Sequence, residues 1–143
     1  PVTRMPLHLM EHPDRLVVAR LGPGEEPSWD VTGGVFSSIT RTSHETSIMC
    51  DAHLVPDDVR SEGPYVPFEV AGPLDFELVG VMHELLTPLV PERISMLAMS
   101  TYDTDWVLVP TERSDDAANA WRRAGFVVTP TSLSSWQPPK EDA

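Results

Sequence analysis

Apolar residues along this chain come in short blocks, most of them bounded by proline or glycine, and the blocks carry two different periods. Arg15-Leu-Val-Val-Ala-Arg-Leu21 is a continuous apolar run with charged ends, stopped by Gly22-Pro-Gly24, and reads as a buried strand. Val35–Arg41 and Thr46–Cys50 flank the turn Thr42–Glu45 and read as the two arms of a hairpin. Tyr65–Val70 is a further strand, with Pro67 placing its start at an edge or a bulge. Ile94–Ser100 is apolar on both faces, as an interior strand would be. Thr101–Thr104 turns the chain, Asp105–Val109 returns, and Phe126–Pro130 is the last strand.

Helical spacing is confined to two stretches. In the first, Asp75 is the natural N-cap and Phe76 to Leu86 the body. Leu78, Met82, Leu85, Leu86 and Leu89 form its buried stripe, widened by Val79 and Val81, with Gly80 beside it. Pro88 cannot donate to the carbonyl of Glu84, so this helix kinks or ends there. The second opens at Ser114 as cap, with Asp115 and Asp116 against the positive end of the helix. Ala117, Ala118 and Trp121 face inward, and Gly125 stops it. Elsewhere only single turns are expected, around Trp29 and over Val55–Val59 with Pro56 at the first position.

From Phe68 onward the order is β-α-β-β-α-β, the ferredoxin-like plan, and residues 15–70 give the same order with vestigial helices. The expected class is therefore α+β: two tandem ferredoxin-like modules, the first truncated. The corresponding boundaries are 1–66, 67–130 and a tail of 131–143, with Leu133 and Trp136 as the tail residues able to dock. Either module could claim Tyr65–Val70 as its strand, and an exchange of strands between the halves leaves no mark in a sequence.

Charge narrows the partners. A formal charge of −12 over 143 residues leaves no broad basic face, which argues against nucleic acid and anionic membranes. No run approaches the roughly 18–20 apolar residues of a membrane span, and Pro1–Pro6 lacks a signal-peptide core, so a cytoplasmic protein is expected. Cys50 is the single cysteine and sits in an alternating apolar run, as a buried strand thiol would.

Candidate chemistry is sparse. His8-Leu-Met-Glu-His12 has the H-x-x-E-H spacing of inverted zinc proteases. Zinc would need a helix presenting both histidines on one face, and Pro6 and Pro13 leave less than two turns, so the run reads as an N-terminal strand or arm. His44, His53, His83 and Cys50 form no nucleophile–base arrangement with a supporting context, and no glycine-rich phosphate loop is present. No cofactor, metal or catalytic residue is expected.

The hairpin Val35–Cys50, the turn Val70-Ala-Gly-Pro-Leu-Asp-Phe76 and the block Ile94–Val109 together resemble the tandem ACT-domain proteins related to the CASTOR arginine sensors. The likeness covers about residues 15–128 and is most specific from Gly72 to Val109. It implies a regulatory or sensory protein that binds a small amino acid, most often across a homodimer. It carries the ligand site to the loop entering the first helix (Gly72, Leu74, Asp75, Phe76) and to the turn between the middle strands (Ser100, Thr101, Tyr102, Asp105). The chemistry is compatible: N–H groups of Leu74 to Phe76 at a helix start suit an α-carboxylate, and Asp75 and Asp105 suit an ammonium or guanidinium group. The same residues also serve as an N-cap and as turn formers, Asp103 among them. The alternative is an enzyme of a biosynthetic pathway built on a recruited scaffold of this kind.

Overall fold

The computed structural model describes residues 7–72 and 79–131. Among them are eight strands and two α-helices: β1 (His8–Glu11), β2 (Leu16–Leu21), β3 (Ser38–Arg41), β4 (Thr46–Asp51), β5 (Ser61–Val70), α1 (Val81–Leu86), β6 (Leu97–Ser100), β7 (Asp105–Pro110), α2 (Ser114–Arg123) and β8 (Val127–Pro130). The architecture is mixed α+β. The chain divides into two compact units, Asp14–Val66 and the described residues of Pro1–Pro13 with Pro67–Ala143. β5 runs through both: its first residues belong to one unit and its last four to the other.

In the unit 14–66 the strand order is β3-β4-β2-β5. β2 and β4 pair antiparallel from Leu16↔Asp51 to Leu21↔Thr46, and β3 lies at the edge. The alternating pattern of β4 sends Ile48 and Cys50 to the same side, where Ala19 meets them in a core that is fully buried. Among the described residues, the unit 14–66 contains no α-helix of its own to cover that core. Trp29, Val31, Val55 and Val59 pack on it instead, carried by non-helical segments. Glu25 to Asp30 is irregular and contains no helical turn. The one-turn helix expected over Val55–Val59 is replaced by a 3-10 turn at Ala52–Leu54 and a β-turn closed by Val59 N–H to the Pro56 carbonyl at 3.0 Å. Pro56 has no N–H to extend the 3-10 turn, which accounts for the shift.

In the other unit the order is β6-β7-β5-β1-β8. β1 lies between β5 and β8, antiparallel to the first and parallel to the second. The first and last strands of the βαββαβ run, β5 and β8, therefore both pair with an N-terminal strand. Leu9, Val70 and Val128 share one face by register, with Phe68 two residues before Val70. On that face Phe68 meets Trp121 edge-on, ring centroids 4.8 Å apart at 66°. Trp121 is fully buried and its indole N–H donates to the Leu85 carbonyl at 2.9 Å, tying α2 to α1. Ala117, Ala118 and Ala120 complete the buried face of α2, small enough to let the helix sit close.

Both helices differ at their starts from the sequence expectation. α1 begins at Val81, and Gly80 precedes it at φ 84, a left-handed conformation that glycine adopts freely. A continuous helix from Phe76 to Leu86 is thus excluded by the backbone at Gly80. Val79 is 77% exposed and takes no part in the stripe, which is carried by Val81, Leu85 and Leu89. Leu78 and the cap proposed at Asp75 lie outside the described residues, as do Leu133 and Trp136. Ser114 is the first residue of α2 and does not cap it; its hydroxyl donates to the carbonyl of Thr111, the first residue of the preceding 3-10 turn, 2.9 Å away. The C-terminus follows the expectation. Gly125 at φ 96 ends the helix, with Phe126 N–H returning to the Trp121 carbonyl and Gly125 N–H to that of Arg122, both 3.0 Å. β6 is shorter than the run Ile94–Ser100 and, among the described residues, pairs with β7 alone; its residues alternate half-buried and exposed.

Candidate ligand-binding site

The β6–β7 turn is built from hydroxyls. Thr101 N–H donates to the Thr104 carbonyl at 2.8 Å and the Thr101 hydroxyl donates to the same oxygen at 3.0 Å. Ser100 Oγ donates to Asp105 Oδ1 at 2.7 Å, across the last register pair of the two strands. Tyr102, at the tip, is 82% exposed. Thr104 is the anchor: it is buried, and its hydroxyl donates to the Val70 carbonyl at 2.6 Å. That bond fixes the turn against the end of β5, two residues before Gly72. Gly72 follows Val70 by two residues, and Ser100, Thr101 and Asp105 flank the turn that Thr104 ties to Val70. Leu74, Asp75 and Phe76 lie outside the described residues.

Sequence reasoning missed Thr104. Its signal was present, since a threonine closing Thr101-Tyr-Asp-Thr104 is one of the residues whose hydroxyl competes for nearby backbone groups. What the sequence could not provide is the acceptor, 34 positions away on β5.

On the face of β5 opposite Phe68 lies a second polar group of contacts. Glu69 pairs in register with Met10, and its Oε1 is 2.9 Å from His12 Nε2, with both side chains buried. The His12 ring stacks on Trp106 with centroids 5.4 Å apart, and its Nδ1 lies 3.1 Å from the Thr131 hydroxyl. His8 Nε2 is 2.8 Å from the Thr129 hydroxyl. The two histidines of the H-x-x-E-H run are thus at the start and just beyond the end of a strand, four residues and roughly 13 Å apart. Each has its own partner, and among the described residues no group of three or more His, Cys, Asp and Glu side chains could hold a metal ion.

The remaining candidates are dispersed. His44, His53 and His83 are exposed on separate elements. Cys50 is fully buried, and burial pushes its thiol up from the usual value. Among the described residues no helix is long and apolar enough to cross a membrane.

Comparison with known proteins gives a domain family for part of the chain. A family model for the ACT domain matches residues 60–123, and a second model, for an N-terminal domain, matches residues 14–58. The crystal structure of an Agobacterium tumefaciens protein is similar at 29% identity, covering 96% of this chain and all of that one, with a TM-score of 0.82. A Vibrio cholerae protein of unknown function, described as a possible transport protein, is 15% identical over 82% of this chain and 88% of its own, with a TM-score of 0.65. The regulatory subunit of aspartate kinase from Thermus flavus shares the fold at 8% identity, with 85% of this chain and 97% of that one covered and a TM-score of 0.57. No match is found among curated proteins. An ACT domain is thus found from Arg60 to Arg123, and it contains both the end of β5 and the β6–β7 turn.

Proposed function

We propose that this protein is a regulatory or sensory one that binds a small amino acid, with Gly72, Ser100, Thr101 and Asp105 in the site and Tyr102 at its rim. The observation that carries the reading is the Thr104–Val70 bond at 2.6 Å, inside the stretch matched by the ACT-domain model. It ties the end of β5, two residues before Gly72, to the turn that carries the Ser100 and Thr101 hydroxyls and the Asp105 carboxylate. Asp105 supplies the negative charge for an ammonium or guanidinium group, and its Oδ1 already orders the Ser100 hydroxyl. The main-chain N–H groups of Leu74 to Phe76 are proposed as the complement for a carboxylate. Leu74, Asp75 and Phe76 belong to the same proposed site. The acidic character of the chain, −12, permits ligands that carry a positive group and disfavours polyanions. The active species is proposed to be a homodimer in the cytoplasm.

The test is a thermal-shift screen against the standard amino acids at millimolar concentration, because a ligand that binds only the folded state raises the melting temperature by mass action. At least one amino acid should raise it, and Asp105→Ala should remove the shift while the free protein still melts cooperatively. A flat response to every amino acid defeats the reading. A shift that survives Asp105→Ala rejects the assigned site.

A further inference from the structure

The unit 14–66 contains a pair of carboxyl groups that its fold does not otherwise explain. Asp51 ends β4 and is 7% exposed; Asp14 lies just before β2. Both converge on Gly34. A Cβ built there would sit 2.8 Å from Asp51 Cγ, 2.9 Å from Asp14 Oδ2, and in collision with Asp51 Oδ2, so only glycine fits above the pair. Gly34 also has φ 71, a second reason for glycine. Asp14 Oδ2 accepts the Val35 N–H at 2.9 Å, while Asp14 Oδ1 is buried with no hydrogen-bond partner. Two like charges are thus gathered under one residue of the segment 22–37, and one of the four oxygens has nothing to bond.

We propose that Asp51, buried next to Asp14 beneath Gly34, is the protonatable half of a pH-responsive latch on the segment 22–37. A proton on Asp51 removes one of the two like charges gathered there. The latch has something to hold. Segment 22–37 carries Trp29 and Val31, which cover the Ala19, Ile48 and Cys50 core where a helix would otherwise lie. The charged and titratable groups acting on Asp51 are Asp14 and His53 on the following 3-10 turn, with Cys50 adjacent; the Arg15 guanidinium, beside Asp14, donates to the Asp14 main-chain carbonyl at 3.0 Å.

Burial, and then the charge of Asp14, push the Asp51 carboxyl above the usual carboxylate range, with His53 opposing. The folded state therefore holds this proton more tightly than the unfolded chain. The stability it contributes is complete below the unfolded value and is lost as pH rises through the folded one. Rising pH is expected to loosen the segment over the core. The inference does not depend on the ligand site, which lies in the other unit.

Carboxyl-carbon NMR on the full chain, combined with hydrogen exchange of residues 28–36 corrected for intrinsic rates, tests it. The Asp51 carbon should titrate above the ordinary aspartate range. Protection of residues 28–36 should fall through that interval, and Asp51→Asn should abolish the fall. Titration of Asp51 in the ordinary range would overturn the proposal, as would an unchanged pH profile in Asp51→Asn. If Asp51→Asn does not fold, the Asp51 titration in the unmodified protein and in Asp14→Asn, where loss of the neighbouring charge should move it down, decides the matter.

Discussion

Replacing Trp121 by phenylalanine isolates what the indole nitrogen contributes to the unit that holds the proposed site. Trp121 is fully buried, packs edge-on against Phe68 at 4.8 Å, and donates to the Leu85 carbonyl at 2.9 Å. Phenylalanine keeps an aromatic ring opposite Phe68, so that contact is largely retained. It removes the donor and leaves a gap where the larger indole lay. A lost intramolecular hydrogen bond costs about 1 kcal/mol net, and leaving its buried partner short of a donor raises the cost to about 1–3 kcal/mol. The volume deficit adds to it, which sets the expected loss for Trp121→Phe near 2–3 kcal/mol. Trp121→Ala, which also abolishes the contact with Phe68, should lose about 3–5 kcal/mol. These are large fractions of a domain stability of roughly 5–15 kcal/mol. Urea denaturation followed by far-UV circular dichroism measures them without depending on tryptophan emission. The midpoint should fall in the order unmodified, Trp121→Phe, Trp121→Ala, with little change in slope for the first substitution. A Trp121→Phe protein within about 0.5 kcal/mol of the unmodified one would refute the claim that this hydrogen bond ties α2 to α1.

Two further outcomes follow from the same packing. Glu69→Ala leaves the buried His12 Nε2 without the carboxylate 2.9 Å away and should cost about 1–3 kcal/mol by denaturation; a loss below about 0.5 kcal/mol would mean the pair is not a structural contact. Gly125→Ala forces a Cβ into φ 96, where nothing crowds it, so the cost is backbone strain of about 1–2 kcal/mol, and Gly125→Asn should cost less. Equal melting temperatures for alanine and asparagine at this position would contradict that explanation.

Strands were legible in the sequence because their signals are local. The runs at β2, β4, β7 and β8 are bounded by turn residues, and the observed strands begin and end within a residue of those runs. α2 was legible for the same reason, through its alanine face and the Gly125 stop. The start of α1 was not, because a period of 3.6 fitted to Leu78, Val79 and Val81 takes no account of the left-handed backbone at Gly80. The position of β1 was hidden more deeply. His8–Glu11 is four residues of ordinary strand, and nothing in them specifies partners at Phe68–Val70 and at Val127–Pro130. Of the proposed ligand site, the turn rich in hydroxyls and carboxylates marks itself in the sequence, but the bond from Thr104 to Val70 that ties the turn to the end of β5 is a tertiary contact.

The most direct test of the binding claim is an amide NMR titration of the isotopically labelled protein with the amino acid that gives the largest thermal shift. Binding at the proposed site predicts saturable shift changes concentrated at Ala71, Gly72 and Ser100 to Asp105, lost in Asp105→Ala. Saturable changes centred elsewhere, for example on the His12, Glu69 and Trp106 cluster with the β6–β7 turn unmoved, would contradict it.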